Sequence, residues 1–217
     1  FPGSAIPSAV SDYEIDNSVR FNKDDGYLTK TFASAGDRRK WTWSSWVKRS
    51  DLDDAFYMFA TDYSDTANYL HINLRASHAD VDKNNIGQIV WSVSSTTYKL
   101  ISNQVFRDPG AWMHICVSCD TTSATTAHRL RFYVNGEEIT SWHTDNRSNI
   151  SQDDELPLNK AQKHIIAGFP VTNDASGYLA EVYFIDGTAL APSSFGELSS
   201  TTNQWIPLDS DDVKDAV

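Results

Sequence analysis

Two short stretches carry side chains suited to holding a sugar. In "KWTWSSWVKR" (Lys40–Arg49), Trp46 stands among small and charged neighbours, with Lys48 two residues on. In "SWHTDN" (Ser141–Asn146), Trp142 is followed by His143, Asp145 and Asn146. An indole offers an electron-rich face to the C–H bonds of a sugar ring, while amide, carboxylate and ammonium groups can bond its hydroxyls. Trp46, Lys48, Trp142, His143, Asp145 and Asn146 are therefore candidate carbohydrate contacts. Calcium is the metal that loop oxygens would take, because it needs several of them converging. "NKDDG" (Asn22–Gly26), "DLDD" (Asp51–Asp54), "SQDDE" (Ser151–Glu155) and "TNDASG" (Thr172–Gly177) offer such oxygens, and Asp174 is the candidate calcium ligand. None has EF-hand spacing, and each also reads as a turn, which Asp and Asn favour through their own backbone bonds.

Catalytic sets are not expected. Glu14 and Asp16 lie before the first strong strand, Glu137 and Glu138 are adjacent and so face opposite ways on a strand, and Glu181 is a lone acid. The histidines, His71, His78, His114, His128, His143 and His164, are scattered, with no recognisable nucleophile–base frame. His114, on a strand after Trp112 and Met113, reads as a hydrogen-bonded structural histidine. No H-E-x-x-H, phosphate-binding loop or dinucleotide fingerprint occurs. Cys116 and Cys119 sit three apart on one apparent strand, so their thiols point to opposite faces and are expected to stay structural and unbonded. A net charge of −11 repels phosphate backbones and anionic lipid, so neither nucleic acid nor membrane is an expected partner. The opening "FPGSAIPSAV" lacks an initiator Met and the pattern of a signal peptide, so the chain is expected to be processed or part of a longer one.

These groups must be positioned by strands. Seven tryptophans, nine tyrosines and ten phenylalanines favour β structure. About a dozen short alternating segments, from "SVRFN" (18–22) to "YLAEVYFI" (178–185), recur between turn signals, the spacing of an all-β sandwich or barrel. No Gly/Ser linker splits the chain, so residues 17–207 read as one domain, with 1–16 an N-terminal arm and 208–217 a polar tail. The stretch Ala189–Leu198 reads as a turn or short helix.

Strand parity divides the tryptophans. Trp41, Trp43, Ser45 and Val47 share one face and read as core; Thr42, Ser44, Trp46 and Lys48 share the other. Trp46 is then either a sugar platform or a side chain covered by a loop or partner subunit. In "LRFYVNGEEIT", Asn135-Gly136 signals a type I′ hairpin. That register sets Val134 opposite Glu137 and Phe132 opposite Ile139, and continued further it brings Arg129 over Trp142 for a cation–π contact.

"GYLTKTFASAGDRRKWTWSSWVKR", "AWMHICVSCDTTSATTAHRLRFYVNGEEIT", "GYLAEVYFIDGTALAPSSFGE" and "WIP" follow one another in order. Together they resemble the laminin-G/pentraxin-like branch of the concanavalin A-like lectin/glucanase superfamily, in the form found in structural proteins of marine tailed phages. The resemblance implies an all-β jelly roll of two antiparallel sheets with little helix, and ligand use on the concave face or rim loops, sometimes with calcium. The superfamily's glucanases carry a Glu-x-Asp-x-x-Glu pattern on one strand, and this chain lacks it. Relatives commonly continue after "WIP" into a Gly/Tyr stretch and an apolar strand, where this sequence reads "LDSDDVKDAV", so a strand is expected to be missing or supplied by another segment.

The resemblance and the lack of a catalytic set imply a non-enzymatic structural module on a phage virion surface, on a fibre or as capsid decoration. It would bind other virion proteins or copies of itself as a homo-oligomer. The alternative is a carbohydrate-binding, lectin-like module for host surface glycans; a glycoside hydrolase is the remote third.

Overall fold

The structure is a computed structural model and describes residues 13–23, 26–77, 84–169 and 175–215. The strands in chain order are β1 (Val19–Phe21), β2 (Leu28–Thr31), β3 (Lys40–Arg49), β4 (Phe56–Thr61), β5 (Tyr69–Arg75), β6 (Ile86–Val93), β7 (Thr96–Val105) and β8 (Met113–Asp120). They continue with β9 (Leu130–Val134), β10 (Glu137–Glu138), β11 (Trp142–Asp145), β12 (Lys163–Ile166), β13 (Gly177–Asp186), β14 (Gly196–Leu198) and β15 (Trp205–Pro207), and one short helix, α1 (Ser210–Asp215), follows. A six-stranded sheet runs β1-β13-β3-β8-β9-β10 and a seven-stranded sheet runs β11-β7-β6-β5-β4-β12-β2, with β14 and β15 a separate hairpin. Every pairing is antiparallel. This is a concanavalin A-like jelly-roll sandwich.

The core lies between the two large sheets and is built by alternation. From the six-stranded sheet come Trp41, Trp43, Val47, Ile115, Val117 and Phe132; from the seven-stranded one come Phe56, Met58, Leu70, Ile72, Ile89 and Trp91. Trp41 and Trp43 are fully buried, and the Trp43 ring stacks against Phe59 across the sandwich at 6.3 Å. Burying a large apolar side chain is worth roughly 1.5–3 kcal/mol, so this layer is the main stabiliser of the fold. Cys119 joins the core while Cys116 faces the other way, and both thiols are free.

The outer face of the six-stranded sheet is also covered. Thr42 Oγ1 donates to Thr188 O at 2.8 Å and accepts from Leu190 N at 2.7 Å, tying the chain after β13 back onto β3. A 3₁₀ turn (Pro192–Ser194), the β14–β15 hairpin and α1 then follow. Phe195, Val213, Cys116 and Tyr133 form a small second apolar cluster there. The polar end of the chain thus contributes apolar contacts from Leu208 and from Val213, which is 1% exposed. Ala189–Leu198 supplies the 3₁₀ turn and all of β14.

The Asn135-Gly136 turn has positive φ at both residues (48° and 84°), with Val134 opposite Glu137 as its type requires. The hairpin stops after Glu138. Ile139 N still bonds Phe132 O at 2.9 Å, but Ile139 is buried, and the chain crosses to the other sheet, where β11 pairs with β7. The expected contact of Arg129 with Trp142 is therefore not made. Arg129 donates to the carbonyls of Ser123, Ala124 and Ile150, and it is Arg147 whose guanidinium lies over the Trp142 ring, at 5.4 Å.

Candidate functional site

The residues expected to bind sugar fall on two separate parts of the molecule. Trp46 and Lys48 are on β3, inside the six-stranded sheet; Trp142, His143, Asp145 and Asn146 are on or beside β11, at the edge of the seven-stranded one. The second set is largely engaged within the protein. The Trp142 face is taken by Arg147, which also holds the Asp145 carboxylate at 2.6 and 2.9 Å and keeps it below the usual carboxylate range. Asn146 bonds the Lys99 backbone twice, accepting from its N–H at 3.0 Å and donating to its carbonyl at 3.1 Å. His143 is exposed and lies 3.1 Å from Thr144 Oγ1.

Trp46 lies on the outer face, as its parity requires, and of its two readings, open platform or covered side chain, the structure shows the covered one: it is only 7% exposed. The reason is the return of the chain over this face. Trp46 sits opposite His114 in the β3–β8 ladder, their rings 5.4 Å apart, and Trp205 from β15 stacks on the other side of His114 at 5.9 Å. Lys48 is half-buried opposite Tyr178. Asp174 and His78 lie outside the described residues. Among the described residues no three His, Cys, Asp or Glu side chains converge to hold a metal ion. The two acidic loops that lie wholly within the described residues, 51–54 and 151–155, close on themselves or on cations: Asp51 caps Asp53 N, Asp154 caps Ser151 N, Asp54 pairs with Lys23 and Glu155 with Arg38.

Two adjoining clefts open beside Trp46. One, of about 450 Å³, lies against the segment before β1, with Tyr13, Glu14 and Asp16, and against Trp112, Ala180 and Pro207. The other, of about 610 Å³, is lined by Trp112, Asn135, Glu137, Asn203, Gln204 and Trp205. Trp46 and Trp112 belong to both. Trp112 is 38% exposed, which is high for a tryptophan. Asn135, Glu137, Asn203 and Gln204 are exposed on the rim. Trp205 is fixed from three sides: its N–H donates to His114 Nδ1 at 3.1 Å, and it rests against Gly136 and Gly196, where a Cβ would come within 2.5 and 2.7 Å of it. Sequence reasoning missed Trp112 and Trp205. Trp112 reads as the first residue of the strand "WMHICVSC" (112–119), on the face of His114, but its exposure is not readable there, and Trp205 is separated from His114 by ninety-one positions.

Ser44 and His114 form the nearest approach to a catalytic pair. Ser44 Oγ lies 2.8 Å from His114 Nε2, but both residues are 1% exposed and the second ring nitrogen is occupied by Trp205. Burial lowers the His114 pKa to about 3. The imidazole is therefore neutral, and the group pins the β15 strand onto the sheet.

Residues 21–194 match a laminin G family model described as the Concanavalin A-like lectin/glucanases superfamily. The chain belongs to that superfamily. Among solved structures it is similar to domain 4 of AbnA, an extracellular arabinanase from Geobacillus stearothermophilus, solved with arabinotriose, at a TM-score of 0.59 and 19% identity over 84% of this chain and 76% of that one. It is similar to domains LG4-5 of the mouse laminin alpha1 chain (TM-score 0.56, 10% identity, 82% of this chain and 44% of that one). It is also similar to the enzymatically active domain of tailspike protein 2 of bacteriophage CBA120 (TM-score 0.54, 18% identity, 88% and 28%). At these identities the likeness is one of fold. No curated protein matches the chain.

Proposed function

We propose that this chain is a non-catalytic, lectin-like module of a phage virion surface that recognises carbohydrate. The observation that carries the reading is the pair of open clefts beside Trp46, where aromatic walls meet exposed amides and a carboxylate. A ligand site needs this mixture: apolar area to bury, and a few polar groups to orient. His114, the histidine nearest the clefts, is engaged instead in holding the fold, by Ser44 and Trp205. Two likenesses lend support: an arabinanase domain solved with arabinotriose and a phage tailspike domain. A glycan array with and without EDTA tests the reading and its calcium dependence. Saturable binding by folded protein is the expected result; no binding to any glycan would remove the recognition role.

A second reading, assembly through protein contacts, is favoured by a different observation. β1 and β2 are the outermost strands at one end of the two sheets, and Val19 and Leu28 on them are each 51% exposed, beside Val182 at 38%. These line a largely apolar cleft of about 320 Å³. Such an edge invites pairing with another copy or another virion protein. Light scattering tests it: an oligomer that dissociates in Val19→Lys or Leu28→Lys supports assembly there, and a monomer at all concentrations opposes self-association.

A further inference from the structure

Resting on the lectin-like reading, we propose that the ligand is an uncharged oligosaccharide lying across both clefts on the outer face of the six-stranded sheet, with Trp112 as its stacking platform. The clefts share Trp46 and Trp112, so a ligand spanning them passes over one continuous aromatic surface. Their volumes, about 450 and 610 Å³, fall within the roughly 300–1,000 Å³ of ligand sites, and together they hold more than one sugar ring.

The chemistry of the lining sets the ligand class. Trp112, 38% exposed, is the open aromatic ring of the clefts, and the negative quadrupole of an indole attracts the electropositive C–H groups of a pyranose or furanose. Asn203, Gln204 and Glu137 stand on the rim with donors and acceptors for hydroxyls. Trp46, more than nine-tenths buried, lies where the clefts meet. Charge then discriminates. Among the described residues the clefts contain Glu14, Asp16 and Glu137 but no Lys, Arg or His, on a chain of net charge −11. A sialic or uronic acid would find repulsion and no cation to pair with its carboxylate. Neutral and N-acetylated sugars meet no such barrier.

The β11 edge lacks these features, because Arg147 already occupies the Trp142 face and Asn146 is bonded to the backbone of Lys99. The two locations are separable by mutation.

The test is an array of neutral, N-acetylated, sialylated and uronic acid oligosaccharides, probed with the whole chain and with Trp112→Ala, Trp112→Phe, Gln204→Ala and His143→Ala, each verified as folded by its thermal melt. The expected result is binding to uncharged oligosaccharides, weakened about tenfold or more by Trp112→Ala, partly kept by Trp112→Phe, weakened by Gln204→Ala and unchanged by His143→Ala. Should Trp112→Ala fail to fold, Trp112→Phe and Gln204→Ala carry the same comparison. Binding that survives the cleft variants but falls with His143→Ala overturns the site and leaves the lectin-like reading standing. A preference for anionic glycans overturns the ligand class. Absence of all glycan binding by folded protein overturns both this proposal and the recognition role.

Discussion

The indole N–H of Trp205 donates to Nδ1 of His114 across 3.1 Å. An indole nitrogen can only donate, so Nδ1 must be the unprotonated nitrogen and Nε2 carries the hydrogen toward Ser44 Oγ, 2.8 Å away. One buried tautomer thereby fastens a strand from the end of the chain to the middle of the sheet, and with it one wall of the larger cleft. Protonating Nδ1 would replace the acceptor with a second donor and break the contact.

Acid is expected to unfold this protein early. Burial lowers the pKa of His114 and His71 to about 3 and that of His164 to about 4. Above pH 6.5 these groups are neutral in both states and cost nothing. As the pH falls below 6.5, the unfolded chain gains protons that the folded chain refuses, so stability is lost until the pH reaches the folded values. Each histidine contributes about 1.4 kcal/mol per pH unit in that window, so the three together remove roughly 4 kcal/mol per unit. Against a typical total of about 5–15 kcal/mol, cooperative unfolding should occur between about pH 5 and 4. Denaturant melts at pH 7, 6, 5 and 4 measure the slope, and a flat profile would contradict the neutral, buried assignment.

The two thiols are expected to be inert in the native state. Cys116 and Cys119 are fully buried on opposite faces of β8, and desolvation pushes both pKa values well above the ordinary thiol. Reactivity requires the thiolate. A chromogenic disulfide reagent should therefore modify neither residue in native protein and both after denaturation. Fast labelling of folded protein would show that β8 or its covering segments open easily.

The parity of "WTWSSWVKR" was enough to place Trp41 and Trp43 in the core and Trp46 on the opposite face, because alternation is a property of a strand alone. What parity cannot report is whether a later segment covers that second face, and here the chain from Thr188 to Val213 does so. The same limit explains Trp142. Its hairpin register was readable through Ile139, but the crossing to the other sheet is set by burial of Ile139 and the pairing of β11 with β7, and both are contacts between sequence-distant residues. Of the tryptophans flanking the clefts, Trp112 begins an alternating run that gives its face but not its exposure, and Trp205 falls outside any long alternating run and gave no periodic signal.

Gly136 should be intolerant of a side chain for two separable reasons. Its φ of +84° disfavours any L residue, and a Cβ would stand 2.5 Å from the Trp205 ring, which His114 and Gly196 prevent from moving aside. Gly187 is the control, with φ of +77° and open space around it. Gly187→Ala should lose about 1 kcal/mol from backbone strain alone, and Gly136→Ala about 1–3 kcal/mol more from the clash. Trp205 fluorescence should change only in the Gly136 variant. Equal losses would mean that Trp205 is not held in place by its neighbours.

Arg49, the last residue of β3, is a second fastening whose loss is expected to cost about as much stability. Its guanidinium is fully buried with no carboxylate in contact among the described residues; it donates to Asn85 Oδ1 at 2.7 Å, Asp54 O at 2.8 Å and, more weakly, Phe106 O at 3.4 Å. Desolvation lowers its pKa to about 10, so it remains charged at neutral pH and is stabilised mainly by carbonyl dipoles. Those acceptors come from three loops that follow β3, β5 and β7, so one side chain bridges all three. Arg49→Met fills similar volume but leaves buried carbonyl and amide oxygens without donors, and should cost about 2–4 kcal/mol in urea denaturation. Arg49→Lys keeps the charge, yet a single ammonium cannot reproduce the fork that reaches Asn85 and Asp54 together, so it should recover less than half of that loss. A methionine variant as stable as the parent would show that the loops hold their positions without the guanidinium.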